Sequence, residues 1–241
     1  MVLDPKFDPM GHAIADYHKN GKASDILIYS DISEEDIIPI DYLFRNYDQM
    51  PAIERKALDL CTGKTLDVGC GAGIHSVYLQ DEKQLNVTAL DISFLAIETC
   101  KNKGIKNTTC ESFFNYSGEK FDTLLMLMNG TGICGTLDRL NEFLSHAKSL
   151  LKSNGQILID SSDIIYMFED EEGGYWVDLN SKYYGEVEYV MKYNNIIGKP
   201  FNWLFVDFEN IKQHSEKIGF TCEKIHEGDH FDYLAKLTIR E

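Results

Sequence analysis

From residue 65 to 163 the chain alternates short β-rich apolar runs with stretches of helical spacing. Strand candidates lie at 65–68, 86–90, 107–111, 121–128 and 156–160, with helical runs between them. Short apolar segments bounded by turn signals read as strands, and strand–helix–strand repetition implies a parallel sheet. The clearest helix carries Leu137, Leu140, Leu144, Ala147 and Leu151 at alternating three- and four-residue steps, which puts them on one face, with Gly155 placed to stop it.

The first 60 residues show helical spacing in two pieces, about 9–17 and 42–60, divided by an acidic stretch containing Glu34, Glu35 and Asp36. This predicts a helical amino-terminal cap. Beyond Asp163 comes an acidic, glycine-containing segment and then an aromatic cluster, so residues 164–206 are expected to form an insertion or lid, hinged at Gly173-Gly174. Within it Val187, Tyr189, Met191 and Tyr193 alternate as on one face of a strand. Phe208, Ile211, Ser215 and Ile218 then mark a helix ended by Gly219, and strands at 220–225 and 233–239 are close enough to pair as a hairpin turning near Gly228. The expected organisation is a single domain: cap 1–60, core 61–163, insertion 164–206, and last helix and hairpin 207–241.

Length and composition fit that picture. A chain of 241 residues with 44% hydrophobic and 26% charged residues has the makings of one sizeable core. The net charge of −16 argues against nucleic acid as a partner, because phosphate contacts reward a basic footprint. No apolar run reaches the roughly 18 residues that would span a bilayer. The six cysteines include no C-x-x-C pair and the start has no signal-peptide pattern, so reduced thiols in a cytoplasmic protein are expected. Oligomeric state is left open between monomer and homodimer.

The chemistry concentrates in Leu66-Asp67-Val68-Gly69-Cys70-Gly71-Ala72-Gly73, a glycine-rich turn between a strand and a helix. Such a turn lets backbone approach a ligand where any Cβ would collide. The spacing is G-x-G-x-G. The dinucleotide fingerprint G-x-G-x-x-G would need glycine at 74 or 76, where Ile74 and Ser76 stand, so a nicotinamide-dependent oxidoreductase is the weaker rival. Asp91 ends the next strand, where a carboxylate accepts from ribose hydroxyls; nicotinamide sites use the same device, and it is the combination with G-x-G-x-G that discriminates. Cys70 reads as a small side chain required by tight packing rather than as a nucleophile.

Residues 66–73 with Asp91, Phe121-Asp122 and the run 150–159 resemble the S-adenosylmethionine-dependent methyltransferases of the Rossmann-like class. The resemblance covers about 65–160 and extends to the final helix and hairpin. It implies an α/β fold, a doubly wound, mostly parallel seven-stranded sheet in the order 3-2-1-4-5-7-6 with the seventh strand antiparallel. It also implies S-adenosyl-L-methionine as cofactor and S-adenosyl-L-homocysteine as product. Carried onto this chain, Asp67, Gly69, Cys70, Gly71 and Gly73 would line the methionine end, Asp91 would hold the ribose and Ile92 one face of the adenine. Glu111 and Ser112 would face the adenine amino group with Phe113 beside them, or Cys110 would take the place of Glu111. Asn129 would lie near the transferring methyl. Arg45 would pair with the cofactor carboxylate or else form an ordinary surface ion pair, and Tyr17 would join the site if the amino-terminal helix folds over it. Nucleic-acid amino methylases of this class often carry Asn/Asp-Pro-Pro-aromatic after the fourth strand. Here Asn129-Gly130-Thr131-Gly132 stands instead, which favours a small-molecule acceptor over RNA or a protein side chain. A non-catalytic cofactor-binding module is the rival from outside the enzymes.

Methyl transfer from a sulfonium is an in-line displacement that needs alignment and sometimes a base. Candidates for base or acceptor contact are Asn129, Asp160, Asp163 and Tyr166, joined by His12, Tyr17 and His18 if the amino-terminal helix reaches the site. Tyr184 and Trp203 belong to an aromatic group that would either roof an acceptor pocket or pack a sheet and an interface. His226 and His230 flank Glu227 and Asp229, but at a predicted turn remote from the glycine loop, so no metal is expected.

Overall fold

Asp8-Pro9 starts the first helix as helix-capping chemistry requires. In the computed structural model, which describes residues 2–170, 172–176, 182–228 and 231–240, the Asp8 carboxylate accepts from the Gly11 amide at 2.8 Å and Pro9 occupies the first turn of α1 (Pro9–Asn20). Gly21, at φ +68°, closes the helix.

The rest of the amino-terminal region is not the helical cap its spacing predicts. Strands β1 (Ile26–Ser30) and β2 (Asp36–Ile38) pair antiparallel across the acidic stretch. The expected helix over 42–60 is broken into 3-10 turns at Ile40–Phe44 and Tyr47–Gln49 before α2 (Ala52–Leu60) begins. Pro39 and Pro51 flank these turns, and an Asn46–Gln49 capping box isolates the second of them.

The core then runs β3 (Lys64–Val68), α3 (Ile74–Asp81), β4 (Asn86–Asp91), α4 (Phe94–Asn102), β5 (Asn107–Cys110), β6 (Phe121–Met126), α5 (Leu140–Ser149) and β7 (Leu151–Ser162). The helix expected to continue to Gly155 ends at Ser149, and Gly155 lies inside β7. A Cβ there would come within 2.9 Å of the Leu151 side chain and 3.0 Å of the Phe121 carbonyl, so this glycine serves close packing in the strand.

After the core come β8 (Glu186–Tyr193), β9 (Ile196–Ile197), β10 (Phe201–Leu204), α6 (Phe208–Ile218) and the hairpin β11 (Phe220–Glu227) and β12 (Asp232–Ile239). The main sheet has the order β11-β12-β7-β6-β3-β4-β5, parallel except that β12 is antiparallel to both neighbours. This is the seven-stranded order that the resemblance implies. Leu124 faces a cluster with Phe143, Leu144 and Ile211, whereas Leu125 faces one with Ile53, Leu58 and Leu79, so both faces of the sheet are covered by helices. No helix among the described residues is long and apolar enough to cross a membrane.

A second, antiparallel sheet has the order β10-β8-β1-β2, with β9 on β8. It joins the amino-terminal region to the 164–206 segment, two parts the sequence pattern keeps separate. The Glu186–Tyr193 alternation is realised in β8, with Val187 and Tyr193 buried.

Candidate functional site

The turn after β3 is built from three glycines with positive φ, Gly69 at +73°, Gly71 at +51° and Gly73 at +75°. Gly69 and Cys70 donate their amides to the Leu90 carbonyl at 2.8 and 3.1 Å, which fixes the turn to the end of β4. A Cβ on Gly71 would meet nothing nearer than the tip of Ile14 at 4.0 Å, leaving room for a ligand against the backbone. A Cβ on Gly73 would strike the Cys100 sulfur at 2.8 Å, so that glycine serves helix packing.

Asp91 is oriented from both sides. Its Oδ2 accepts from the Gly71 amide at 2.9 Å and its Oδ1 from the Ser93 amide at 2.8 Å. Burial pushes the carboxyl up to about 6, against the pull of those two amides. Asp67 is buried, and its Oδ2 accepts from the Ser76 hydroxyl at 2.6 Å; burial raises it too, opposed by His75 and Ser76. Cys70 is buried with its sulfur 3.7 Å from that of Cys100, and this contact, together with burial, holds the thiol well above its ordinary value. It is a packing residue.

At the end of β4, Ile92 is 42% exposed beside the half-buried Glu111 and Ser112, with the Glu111 amide donating to the Asp91 carbonyl at 2.9 Å. Phe113 does not belong with them. Its ring is turned into the core, 5.2 Å from Phe143 and 4.9 Å from His146, because the 3-10 turn at Phe113–Asn115 folds it back over α5.

Beyond β6 the chain makes a sharp exit through Met128 and Asn129, at φ +64° and +60°. Left-handed backbone at non-glycine residues is costly and persists only where surrounding contacts enforce it. Here Asn129 Nδ2 donates to the Leu204 carbonyl at 3.1 Å and its Oδ1 accepts from Ser161 at 2.9 Å, while Thr131 Oγ1 donates to Leu204 at 2.9 Å. The Asn129 side chain therefore fastens this turn to β7 and β10 instead of reaching into the site. The Gly130 amide donates to Asp160 Oδ1 at 2.9 Å, and burial pushes Asp160 up to about 6 against that amide. A Cβ on Gly69 would lie 3.3 Å from Ile133, so the two turns face each other.

Arg45 is neither solvent-exposed nor free. It pairs with Glu54, lies over the Tyr42 ring at 3.8 Å, and donates to the Tyr42 carbonyl, while its Nε is buried without a partner. The other oxygen of Glu54 meets His75 Nε2 at 2.9 Å. Burial alone would raise Glu54, but the hydrogen bond and charge of His75, with Arg45, bring it below the ordinary carboxylate value. Glu54 and His75 carry no motif and escape a reading of sequence alone.

The acceptor candidates divide. Tyr184 donates to Asp163 at 2.7 Å, Asp163 donates its amide to the Phe231 carbonyl at 3.0 Å, and Tyr166 stacks on Phe231 at 5.4 Å, so these three candidates gather in one place. Trp203 lies flat on the turn after β6, where a Cβ on Gly132 would be 1.9 Å from its indole. Tyr17 packs on Phe44 at 4.4 Å. His12 is hydrogen-bonded to the Pro5 carbonyl at 3.0 Å, and His18 lines an outer groove between α1 and α4 with Lys19 and Glu98. Gly173 stands in a turn closed by its amide on the Asp170 carbonyl at 3.1 Å. Among the described residues no group of three or more His, Cys, Asp or Glu is gathered as for a metal; Asp229 and His230 lie outside those residues.

Residues 66–159 match the methyltransferase domain family Methyltransf_11. The whole chain is similar to a methyltransferase from Bacteroides fragilis solved with S-adenosyl-L-homocysteine, at 44% identity over 100% of this chain and 98% of that one, with a TM-score of 0.94. The chain belongs to the S-adenosylmethionine-dependent methyltransferases. A methyltransferase from Clostridium acetobutylicum shares the fold at 15% identity, covering 83% of this chain and 96% of that one with a TM-score of 0.59. So does the sugar N-methyltransferase KedS8 from Streptoalloteichus, at 14% identity over 85% and 94% with a TM-score of 0.57. No curated protein matches. In this methyltransferase the glycine turn leaves open backbone at Gly71, with the Asp91 carboxylate oriented beside it and Ile92 exposed at the end of β4.

Proposed function

We propose that the methyl group passes to a small-molecule acceptor held between the carboxyl edge of the main sheet and the second sheet. The observation that carries this reading is the direct fastening of β10 onto the turn after β6, where Asn129 and Thr131 both bond Leu204 and Trp203 covers Gly132. The end of the sheet where transfer occurs is thereby roofed by the chain itself. The −16 net charge supports an acceptor other than a polyphosphate.

Bound S-adenosylmethionine supplies the electrophilic methyl. Gly69, Gly71 and Asp91 hold the cofactor, and Ile92, Glu111 and Ser112 border its adenine. Arg45, through its unpartnered Nε, is the cation for the cofactor carboxylate. Asp163, Tyr166 and Tyr184 contact the acceptor. Asp160, a carboxyl pushed up to about 6 at the end of β7, takes the proton that the acceptor loses. The neighbouring Asp160 and Asp163 disfavour an anionic acceptor.

The test is to incubate the protein with methyl-labelled S-adenosylmethionine and a panel of small amines, phenols and carboxylic acids, with tRNA and denatured protein in parallel. Label transfer to a neutral or cationic small molecule is expected. Transfer to tRNA or protein alone would overturn the reading.

A further inference from the structure

Two of the hydrogen bonds already described share a neighbour on the amino-terminal segment. Ser93, whose amide holds Asp91 Oδ1 at 2.8 Å, is also the N-cap of α4, accepting from the Ala96 amide at 3.0 Å. Its hydroxyl hydrogen goes to Asp8 Oδ2 at 2.5 Å, across 85 residues of chain. Asp8 is 1% exposed and Ser93 is 4% exposed. The other oxygen of Asp8 caps α1 at the Gly11 amide. One buried carboxylate thus joins the start of the helix lying over the glycine turn to the residue that orients the ribose carboxylate.

Three further contacts put the same segment across the cofactor site. The Leu3 amide donates to the Ile92 carbonyl at 3.0 Å, at the adenine end, and Ile14 approaches Gly71 from above. Gly11 is the third: a Cβ there would lie 2.1 Å from Asp8 Oδ2 and 2.3 Å from Ser93 Oγ, so only glycine lets the helix come down onto the pair. The Asp8 charge is close enough to add to burial in raising Asp91.

We propose that Asp8 is a positioning residue of the cofactor site, holding Asp91 in register through Ser93 and latching α1 across the bound cofactor. A charge-assisted hydrogen bond buried from water is the kind whose loss is felt strongly. The inference rests on the assignment of Asp91 to the ribose.

The test is calorimetric titration of S-adenosyl-L-homocysteine into the full chain and four variants, Asp8→Asn, Gly11→Ala, Ser93→Ala and the Asp8→Asn/Ser93→Ala double, with thermal unfolding of each. Asp8→Asn keeps a good helix cap but loses the charge on the latch. It is expected to bind about tenfold more weakly and to unfold at a somewhat lower temperature. Gly11→Ala raises helix propensity, yet its Cβ displaces the buried Asp8–Ser93 pair; weaker binding together with a lower unfolding temperature is expected. Ser93→Ala combined with Asp8→Asn should bind no more weakly than the worse single variant, because one interaction is removed twice. Unchanged affinity in Asp8→Asn and Gly11→Ala, or a fall in unfolding temperature alone, would overturn the inference and leave the site intact. Wild-type protein that binds no S-adenosyl-L-homocysteine would overturn the site assignment and the inference with it.

Discussion

Glu54 accepts a hydrogen bond from His75 at 2.9 Å while its other oxygen is paired with Arg45, and all three side chains are buried. The network ties the segment before α2, α2 itself and α3 together beneath the glycine turn. Removing one member leaves buried charge without a partner, which costs about 3–5 kcal/mol. Glu54→Gln is therefore expected to unfold at markedly lower denaturant concentration than wild type at pH 7. A variant within experimental error of wild type in urea unfolding would contradict the role given to this network.

The acid and neutral sides of the stability profile are set by different carboxyls. Glu54, below its ordinary value in the folded state, contributes stability above that ordinary value and loses it as pH falls through the lower folded one. Asp91 and Asp160, raised to about 6, act in the opposite sense. Their contribution is fully present below the ordinary carboxylate value and is lost as pH rises through about 6. Replacing either aspartate by asparagine should flatten the decline in unfolding temperature between pH 4 and pH 6, which a thermal-unfolding series across that range measures.

Cofactor binding should follow the ionised form of Asp91, because a carboxylate accepts from both ribose hydroxyls. With its carboxyl at about 6 in the free protein, affinity for S-adenosyl-L-homocysteine is expected to rise about tenfold from pH 5 to pH 7. In Asp91→Asn that slope should disappear. A titration giving one affinity across the whole range would remove Asp91 from the ribose.

Much of this architecture is legible in the sequence, and the reason is local. The G-x-G-x-G turn, Asp91 at a strand end, and the 208–219 helix with its terminal glycine are each written in adjacent residues. The parts that are not legible depend on partners far along the chain. Asp8 announces a helix cap beside Pro9, but nothing local says that its second oxygen meets Ser93. Phe113 follows Glu111 and Ser112 in sequence, yet a 3-10 turn sends its ring to Phe143. Residues 42–60 keep helical spacing while Pro51 interrupts the helix. The second sheet pairs β1 with a strand about 160 residues further along, Leu27 opposite Lys192, a pairing no periodicity can reveal.

Gly71→Val should leave the fold intact enough to report on the site. The branched side chain at φ +51° strains the turn and fills the open space proposed for the cofactor. Folded protein by circular dichroism with no measurable S-adenosyl-L-homocysteine binding is the expected outcome; retained binding would mean that the ligand lies elsewhere.

The packing of β10 on the turn after β6 can be tested by fluorescence. Gly132→Ala places a methyl 1.9 Å from the Trp203 indole, so the ring must move. Such overpacking costs about 1–3 kcal/mol. The variant should show lower thermal stability and red-shifted tryptophan emission, and an unchanged spectrum would contradict the packing of β10 on this turn.

The most direct test is a side-by-side titration of S-adenosyl-L-homocysteine into wild-type protein and Asp91→Ala. The account predicts one-site binding to wild type and an affinity about ten- to a hundredfold lower in the variant, the loss of hydrogen bonds to a charged group. Equal affinity in a folded variant would contradict it.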